Sequence, residues 1–268
     1  MPARILITRP APEAAHWVAA LQGRGWLAQA LPLIQISPPT DAASLAALQQ
    51  AQHALSSYQA IMLVSGQAAR FFCSAPVVAA FQALAASGAA PRWWAPGPGT
   101  ARALQQSGLP AHSIDQPAAD AGQFDSEALW QQVAAQIQPG SRVLIVRGRD
   151  GTDPQPEGHG RDWLAQQLQR AGARVEKVVA YQRQAPQFSA AQRVLAQQAA
   201  SDGTLWLLSS SQAIAHLQAQ LPAQSWQQAR ALTTHPRIAA AAQAAGFGTV
   251  VQCRPALEDV AVSIESML

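Results

Sequence analysis

Apolar positions along the chain form two kinds of segment, short continuous runs and stretches at helical spacing. Ile5 to Thr8 is a run of the first kind and predicts a buried strand. Apolar residues then recur at i, i+3, i+4 and i+7, which predicts a helix with one apolar face formed by Ala14, Trp17, Val18 and Leu21. The same alternation predicts strands near residues 61–64, 93–95, 143–146, 175–180, 205–208, 231–233 and 249–251. This pattern is typical of α/β proteins, in which helices cover parallel sheets.

The sequence also contains an internal repeat. RILITR at 4–9 matches RVLIVR at 142–147, MLVSGQA at 62–68 matches LLSSSQA at 207–213, and APGPGTA at 95–101 matches TTHPRIA at 233–239. Three matched pairs in the same order predict two copies of one fold. Proline-containing segments at 37–40 and 183–186 interrupt the pattern and indicate linkers. Two linkers that bracket residues 38–183 fit an inserted domain.

Four loops that follow predicted strands are rich in serine, threonine, glycine and proline. They are SGQ at 65–67, GPGT at 97–100, SSS at 209–211 and HPR at 235–237. Ligands of parallel sheets bind beyond the carboxyl ends of the strands, where helix amino termini present free N–H groups to anions. Each of these residues is also an ordinary cap or turn former, and a lone histidine before a proline, such as His235, is more often structural. Four such loops together favour anion binding.

A longer polar loop is predicted from Arg147 to Arg161. It has two interpretations. The loop could extend over a cleft and offer Arg149 and Arg161 to carboxylates, or it could be a solvated loop whose acidic residues neutralise these arginines, namely Asp150, Asp153, Glu157 and Asp162. Tyr181 follows the strand predicted at 175–180 and lies near the second linker, where an ordinary half-buried tyrosine is the alternative to a functional one.

Charge and cysteine content narrow the function classes. The net charge is +3, and Lys177 is the single lysine among 18 basic residues. Such arginine usage suits carboxylate binding or reflects genome composition. No basic run is interleaved with aromatic residues, so nucleic-acid binding is not expected. Cys73 and Cys253 lack CxxC spacing and are expected to be buried thiols.

Signals for cofactors and for export are missing from the sequence. Gly97-x-Gly99 lacks the third glycine of a dinucleotide fingerprint, and no phosphate-loop motif occurs. No histidine or cysteine spacing suits a metal, so we expect neither a cofactor nor a metal. The first residues do not resemble a signal peptide, and the apolar stretch at 77–90 is shorter than the ~20 residues that span a bilayer. We therefore expect a cytoplasmic protein that has no membrane partner.

Several of these segments together resemble the uroporphyrinogen-III synthase family. They are ILITRP at 5–10, the Ser65-x-Gln67-Ala68 loop, GPGTA at 97–101 with Leu104 and Gly108, the strand and loop from Val143 to Arg149, and VAYQR at 179–183. The resemblance covers nearly the whole chain, and the order of the segments carries it. It implies two doubly wound parallel-sheet α/β domains joined by a two-stranded linker. Domain one would be residues 1–37 plus 184–268, and domain two would be residues 38–183.

The resemblance also implies an activity. Hydroxymethylbilane would lose its hydroxyl group, close, and have its ring D inverted through a spiro intermediate to give uroporphyrinogen III, in haem biosynthesis. Tyr181 matches the family's tyrosine that is proposed to assist departure of the hydroxyl. A monomer without a cofactor is expected. The residues expected to bind this substrate of eight carboxylates are Arg9, Ser65, Gly66, Gln67, Gly97, Gly99, Thr100, Arg147, Arg149, Ser210, Ser211, His235 and Arg237.

A non-catalytic cytosolic protein with two lobes, which binds a polyanionic small molecule, is the alternative. Such a protein would share the fold and the anion-binding site. The ordered set of segments that ends at Tyr181 favours the enzyme, and turnover of the substrate would distinguish the two.

Overall fold

The structure is a computed structural model, and it describes residues 4–118, 125–151 and 162–267. Within these ranges the chain forms eleven strands and eleven α-helices. The strands are β1 (Arg4–Ile7), β2 (Leu27–Ala30), β3 (Gln35–Ser37), β4 (Ala60–Leu63), β5 (Arg92–Trp94), β6 (Ile114–Asp115), β7 (Arg142–Asp150), β8 (Arg174–Gln184), β9 (Leu205–Leu208), β10 (Arg230–Thr233) and β11 (Thr249–Gln252). The helices are α1 (Ala11–Gln22), α2 (Ala42–His53), α3 (Gly66–Phe72), α4 (Ala75–Ala86), α5 (Pro98–Gln106), α6 (Ser126–Val133), α7 (Trp163–Arg170), α8 (Ala190–Ala199), α9 (Ser211–Gln220), α10 (Pro236–Ala244) and α11 (Leu257–Met267).

The chain divides into two compact units. Unit 1 comprises residues 1–36 and 184–268, and unit 2 comprises residues 37–183. The linkers predicted at 37–40 and 183–186 start where the chain passes between the units, and the first residues of each are strand. Ser37 is the last residue of β3, and Arg183 and Gln184 are the last residues of β8. Strand β3 ends directly before Pro38, and β8 ends two residues before Pro186.

Unit 1 contains a five-stranded parallel sheet in the order β11-β10-β9-β1-β2. Successive side chains of a strand point to opposite faces. Ile5 and Ile7 of β1 therefore pack with Trp17 of α1 on one face, whereas Leu6 packs with Trp206 on the other. Because helices cover both faces, the strand is a continuous apolar run, as is usual in parallel sheets.

The second sheet has six strands in the order β3-β8-β7-β4-β5-β6, in which β8, β7, β4, β5 and β6 are parallel. These five strands form the sheet of unit 2, whereas β3 lies at the boundary of the units, with only Ser37 in unit 2. Trp94 packs with the apolar residues of α6 and α7, including Leu129. The preceding residue, Trp93, contacts Phe72 and Phe81 edge-on at ring-centroid distances of 6.2 and 5.6 Å. Both faces of this sheet are thus buried, which confirms the predicted α/β fold of parallel sheets covered by helices.

Members of the internal repeat are exchanged between the two units. Strand β1, from the first copy, pairs with β9, from the second copy. Strand β7, from the second copy, pairs with β4, from the first. Each unit therefore contains one member of every matched pair, so the two sheets present equivalent loops after their central strands.

The predicted strands are present, and three further short strands accompany them. These are β2, β3 and β6, and each lies at the edge of its sheet. Edge strands have a partner on one side only and need no continuous apolar run, and Leu27 of β2 is 54% exposed. The loop predicted to start at Arg147 also needs correction, because β7 remains paired with β8 as far as Asp150. The rest of that loop, with Asp153, Glu157 and Arg161, lies outside the described residues.

No single helix in the described part of the chain has the length and apolar composition of a membrane span. Helices α3 and α4 meet those two criteria only when they are taken together, and they are bent by 85° relative to each other.

Candidate active site

Two of the predicted loops meet at the carboxyl edge of the sheet in unit 2. Ser65 follows β4 and caps α3, where its Oγ accepts a hydrogen bond of 3.2 Å from the amide of Ala68. Gly97 follows β5 and caps α5. The two helices pack closely, since a Cβ atom at Gly66 would lie 3.8 Å from the carbonyl oxygen of Gly99. Gln67 lies in the first turn of α3, and Thr100, which is buried, lies in the first turn of α5.

The winding of the sheet in unit 2 reverses beside Ser65. From β4 the chain proceeds through β5 and β6 on one side of the sheet, and it then returns to β7 and β8 on the other side. The direction of winding thus reverses between β4 and β7. Ligands of open α/β sheets bind outside the carboxyl ends of the strands at such a reversal.

Tyr181 reaches this reversal from β8. Its side chain is buried, with 3% of the residue exposed, and its hydroxyl lies 3.1 Å from Oγ of Ser65. Strand β7 lies between β8 and β4, so the tyrosine must cross β7 to reach Ser65. It crosses at Gly148, where a Cβ atom would lie only 2.2 Å from Cζ of Tyr181. The glycine therefore provides the space that the ring occupies.

A β-bulge brings Tyr181 opposite this glycine. The register of β7 and β8 shifts between Arg147, which pairs with Val179, and Gly148, which pairs with Tyr181. Bulges of this kind redirect side chains and are frequent next to active sites. The ring of Phe71 stacks on Tyr181 at a centroid distance of 6.0 Å. Among the described residues, Ser65 is the hydrogen-bond partner of the Tyr181 hydroxyl.

Both arginines predicted to hold carboxylates in unit 2 are bound to acidic side chains of the protein. Arg147 is buried and forms an ion pair of 3.4 Å with Asp162, which also accepts a hydrogen bond of 3.0 Å from Lys177. The hydrogen bond from Lys177 lowers the pKa of Asp162, and Arg147 lowers it by a smaller amount. Asp162 is one of the acidic residues that were expected to neutralise Arg149 or Arg161, and the structure pairs it with Arg147 instead.

Arg149 has a partner that the sequence did not indicate. Its guanidinium donates to the carboxylate of Asp41, and it lies 3.4 Å from Oγ of Ser44 and from Oε1 of Gln182. Asp41 is the N-cap of α2 and accepts a hydrogen bond of 2.8 Å from the amide of Ser44. That bond, followed by the one from Arg149, holds the pKa of Asp41 well below its usual range. Arg149 thus fastens α2 to the end of β7.

Unit 1 presents the equivalent loops at the carboxyl edge of its own sheet. Its winding also reverses, between β1 and β9, and β1, β9 and β10 are neighbours. Arg9 follows β1, Ser210 caps α9 before Ser211, and His235 caps α10. The imidazole Nδ1 of His235 accepts a hydrogen bond of 3.1 Å from the amide of Arg237.

Arg9 is partly buried. Its guanidinium lies 4.5 Å from the ring centroid of Trp17 and 3.5 Å from a carboxylate oxygen of Glu13. Its Nε atom is buried without a hydrogen-bond partner. Ser210 makes no side-chain capping hydrogen bond, whereas His235 and Arg237 are exposed.

Sequence reasoning missed the role of Gly148 and the partner of Arg149. A signal for the first existed, because a glycine inside a strand pattern suggests a bulge or a close approach. No signal existed for the second, since Asp41 and Arg149 are 108 positions apart. In the described parts of the chain, no group of three or more histidine, cysteine, aspartate or glutamate residues could hold a metal ion.

Two solved structures have a fold similar to this one over nearly the whole length of both chains. Uroporphyrinogen-III synthetase from Helicobacter pylori has a TM-score of 0.55 and 13% identity, with 100% of both chains covered. A mutant uroporphyrinogen III synthase from Thermus thermophilus has a TM-score of 0.51 and 16% identity, and the match covers 99% of this chain and 98% of that one.

A family model provides the functional comparison. The model described as "Uroporphyrinogen-III synthase HemD" matches residues 15–261, which include the strands from β2 to β11 and the candidate loops after β4, β5, β7, β9 and β10; β1 and Arg9 precede the matched range. The match confirms the family predicted from the ordered segments and does not favour a non-catalytic binding protein. This chain therefore belongs to the uroporphyrinogen-III synthase family, whose members are lyases of tetrapyrrole biosynthesis.

Proposed function

We propose that the catalytic group of this synthase is Tyr181, at the winding reversal of unit 2, and that its substrate is hydroxymethylbilane. The chain cyclises this linear tetrapyrrole with loss of water and inversion of ring D, giving uroporphyrinogen III. The hydrogen bond of 3.1 Å between Tyr181 and Ser65 at the carboxyl edge of the sheet is the observation that carries the assignment.

The first chemical step explains why a tyrosine suits the reaction. Hydroxide is a poor leaving group, and it departs readily only when a proton is transferred to its oxygen as the carbon–oxygen bond breaks. A positioned side chain that supplies such a proton contributes typically ~10²–10⁴-fold to a rate. A phenol hydroxyl is a suitable donor, and the burial of Tyr181 separates it from bulk water that would compete for its proton.

The remaining work of the enzyme is to hold the bilane in the conformation that closes with inversion. Hydroxymethylbilane is intrinsically reactive, so folding it and stabilising a cationic intermediate can replace a cofactor. Helix amino termini and arginines suit its carboxylates. We assign substrate binding to Gly66, Gln67, Gly97, Gly99 and Thr100 in unit 2 and to Arg9, Ser210, Ser211, His235 and Arg237 in unit 1.

Arg147 and Arg149 receive a different assignment. Because Asp162 and Asp41 already occupy their guanidinium groups, we assign both arginines to the support of β7, which carries Gly148 beneath the tyrosine. A substrate carboxylate at either group would have to share the guanidinium with the carboxylate that already contacts it.

The chain provides a matched test of Tyr181, because it contains only two tyrosines. Tyr58 lies before β4, at the amino edge of the same sheet, and its buried hydroxyl donates to Glu176 at 2.8 Å. Tyr181→Phe and Tyr58→Phe each remove one buried hydroxyl from unit 2. We expect Tyr181→Phe to lower kcat by roughly one to two orders of magnitude and Tyr58→Phe to lower thermal stability but leave kcat within about twofold.

Both variants would be compared in single-turnover assays with freshly prepared hydroxymethylbilane, after circular dichroism has established that they are folded. If Tyr181→Phe retains the kcat of the parent protein, the tyrosine is not the proton donor. Equal losses in the two variants would likewise remove the assignment, since Tyr58 lies at the opposite edge of the sheet.

A further inference from the structure

We propose that Ser65 is a positioning residue, which orients the proton of Tyr181 towards the leaving hydroxyl and then stabilises the phenolate. The inference rests on the proposed function, because it assigns a role to the hydrogen-bond partner of the proposed proton donor. It also changes the role of Ser65, which the sequence predicted to bind a substrate carboxylate.

The hydrogen-bonding capacity of a serine hydroxyl determines this role. The group has one proton and two acceptor sites. One acceptor site of Ser65 is occupied by the amide of Ala68 at 3.2 Å. If the proton of Ser65 is donated to Tyr181 across the distance of 3.1 Å, the phenol proton is free to point at the substrate. In the opposite arrangement, Tyr181 would donate its proton to Ser65 and could not protonate a leaving group.

The capped helix leaves the productive arrangement open, because the proton of Ser65 is not used by the cap and is available to Tyr181. The amide of Ala68 can only donate, so Ser65 must use an acceptor site for it, and its own proton points elsewhere. Tyr181 is the other hydrogen-bond partner of this hydroxyl among the described residues. A carboxylate, which has no proton to give, needs a donor. Ser65 cannot offer its single proton both to a substrate carboxylate and to Tyr181.

Proton transfer then strengthens the same contact. The proton leaves the Tyr181 oxygen for the hydroxyl oxygen of the bilane, the carbon–oxygen bond breaks with its electron pair on that oxygen, and water departs. Tyr181 becomes a phenolate, and the hydrogen bond from Ser65 becomes a bond to a charged acceptor. Such bonds are stronger than neutral ones. The proton that is lost when the attacked pyrrole regains its aromaticity restores the phenol, so each turnover releases one water and consumes no proton.

The surroundings hold both hydroxyls in place. Ser65 is fixed by its position as the N-cap of α3, and the ring of Tyr181 is held between Gly148 and Phe71. Neither group needs to be ordered during the reaction, which is the condition for efficient preorganised stabilisation. The geometry thus requires that the effect of Ser65 on rate depend on the hydroxyl of Tyr181.

A double-mutant cycle tests this dependence. We expect Ser65→Ala to lower kcat about ten- to a hundredfold with little change in KM, and we expect Ser65→Thr, which keeps the hydroxyl, to restore most of the rate. In the Tyr181→Phe background, Ser65→Ala should cause no further loss of more than about twofold. Residues that act independently would instead multiply their losses in the double variant.

Controls separate the proposed role from helix capping. Ser65→Gly also removes the hydroxyl, but glycine is a good N-cap residue. This variant should be as slow as Ser65→Ala, and it can take its place in the cycle if the alanine variant does not fold. Ser189 caps α8 in unit 1 through a capping box with Gln192. Ser189→Ala removes an equivalent cap and should lower stability while kcat stays unchanged.

A spectroscopic measurement provides a readout independent of turnover. Labelling with 3-fluorotyrosine in the Tyr58→Phe background leaves a single ¹⁹F resonance, from Tyr181. Ser65→Ala should shift that resonance, and Ser65→Thr should largely restore it. Multiplicative losses in kcat, a raised KM with unchanged kcat, or an unmoved resonance would overturn the inference for Ser65. An unchanged rate in Tyr181→Phe alone would instead overturn the proposed function.

Discussion

Gly148→Ala is the substitution that most directly tests how the site is built. Gly148 does not adopt a positive φ, so an alanine is compatible with its backbone and only the added methyl group matters. That methyl would lie 2.2 Å from Cζ, 2.5 Å from Cε2 and 2.7 Å from Cε1 of Tyr181. Non-bonded carbon atoms prefer separations of about 3.5–4.0 Å, so the ring must move.

The size of this movement follows from the distances. Restoring about 3.5 Å at the nearest atom requires a shift of roughly 1.3 Å from 2.2 Å. The hydroxyl bond of 3.1 Å to Ser65 cannot tolerate a shift of that size. A misplacement of about 1 Å in a catalytic group costs on the order of 10²-fold in rate, and overpacking costs about 1–3 kcal/mol in stability. We therefore expect kcat to fall about a hundredfold and the free energy of unfolding to fall by about 1–3 kcal/mol.

Urea unfolding and single-turnover kinetics would measure the two effects. Gly23→Ala is a suitable control, because Gly23 also lacks a positive φ and its added methyl would lie 3.4 Å from the nearest atom. Tyr181→Leu removes the three ring atoms in conflict, so Gly148→Ala should cost little stability in that background. An unchanged kcat in Gly148→Ala, or the same loss of stability in the parent and in the Tyr181→Leu background, would refute the crossing at this glycine.

Two further predictions concern ionisable groups in unit 2. Because the pKa of Asp41 in the folded protein lies below the value of about 3.9 for an unfolded chain, its carboxylate stabilises the fold above about pH 4 and ceases to do so as the pH falls further. Asp41→Asn keeps a capping side chain and should have a lower melting temperature than the parent protein at pH 7. The difference between the two melting temperatures should shrink below pH 4, and a difference that stays constant down to pH 2 would contradict this. Burial raises the pKa of the Cys73 thiol to about 12. In a Cys253→Ser variant, a disulfide reagent at pH 8 should therefore label Cys73 only after the protein has unfolded. Fast labelling of the native protein would contradict the burial of this thiol.

The sequence predicted those parts of the fold whose pattern is determined locally. Central strands such as β4 and β9 are buried on both faces and therefore appear as continuous apolar runs. The edge strand β2, with the sequence LAQA, has exposed positions on both sides of Ala28 and does not differ from a loop in its pattern. No local pattern places strands that are distant in sequence, such as β1 and β9, in one sheet; the two linkers and the family resemblance assigned both to domain one.

The sequence predicted which loops form the site but not the contacts between their side chains. Ser65 and Gly97 follow strands, and the carboxyl ends of parallel strands share one edge, so their proximity follows from the fold class. The contact between Tyr181 and Ser65 required a bulge that shifts the register of β7 and β8 at Gly148. Register depends on pairing between distant segments, and no local pattern specified it. The same reason explains why Asp41 was not recognised as the partner of Arg149.

The most direct test of the account is the isomer that the purified protein forms from hydroxymethylbilane. Spontaneous closure of the bilane gives the type I isomer, so a reaction without protein is the control. The account predicts that the parent protein, without added metal or nucleotide, yields predominantly the type III isomer, and that Tyr181→Phe forms it much more slowly than Tyr58→Phe does. Chromatography of the oxidised porphyrins measures the ratio. A product mixture from folded parent protein that matches the control would contradict the account.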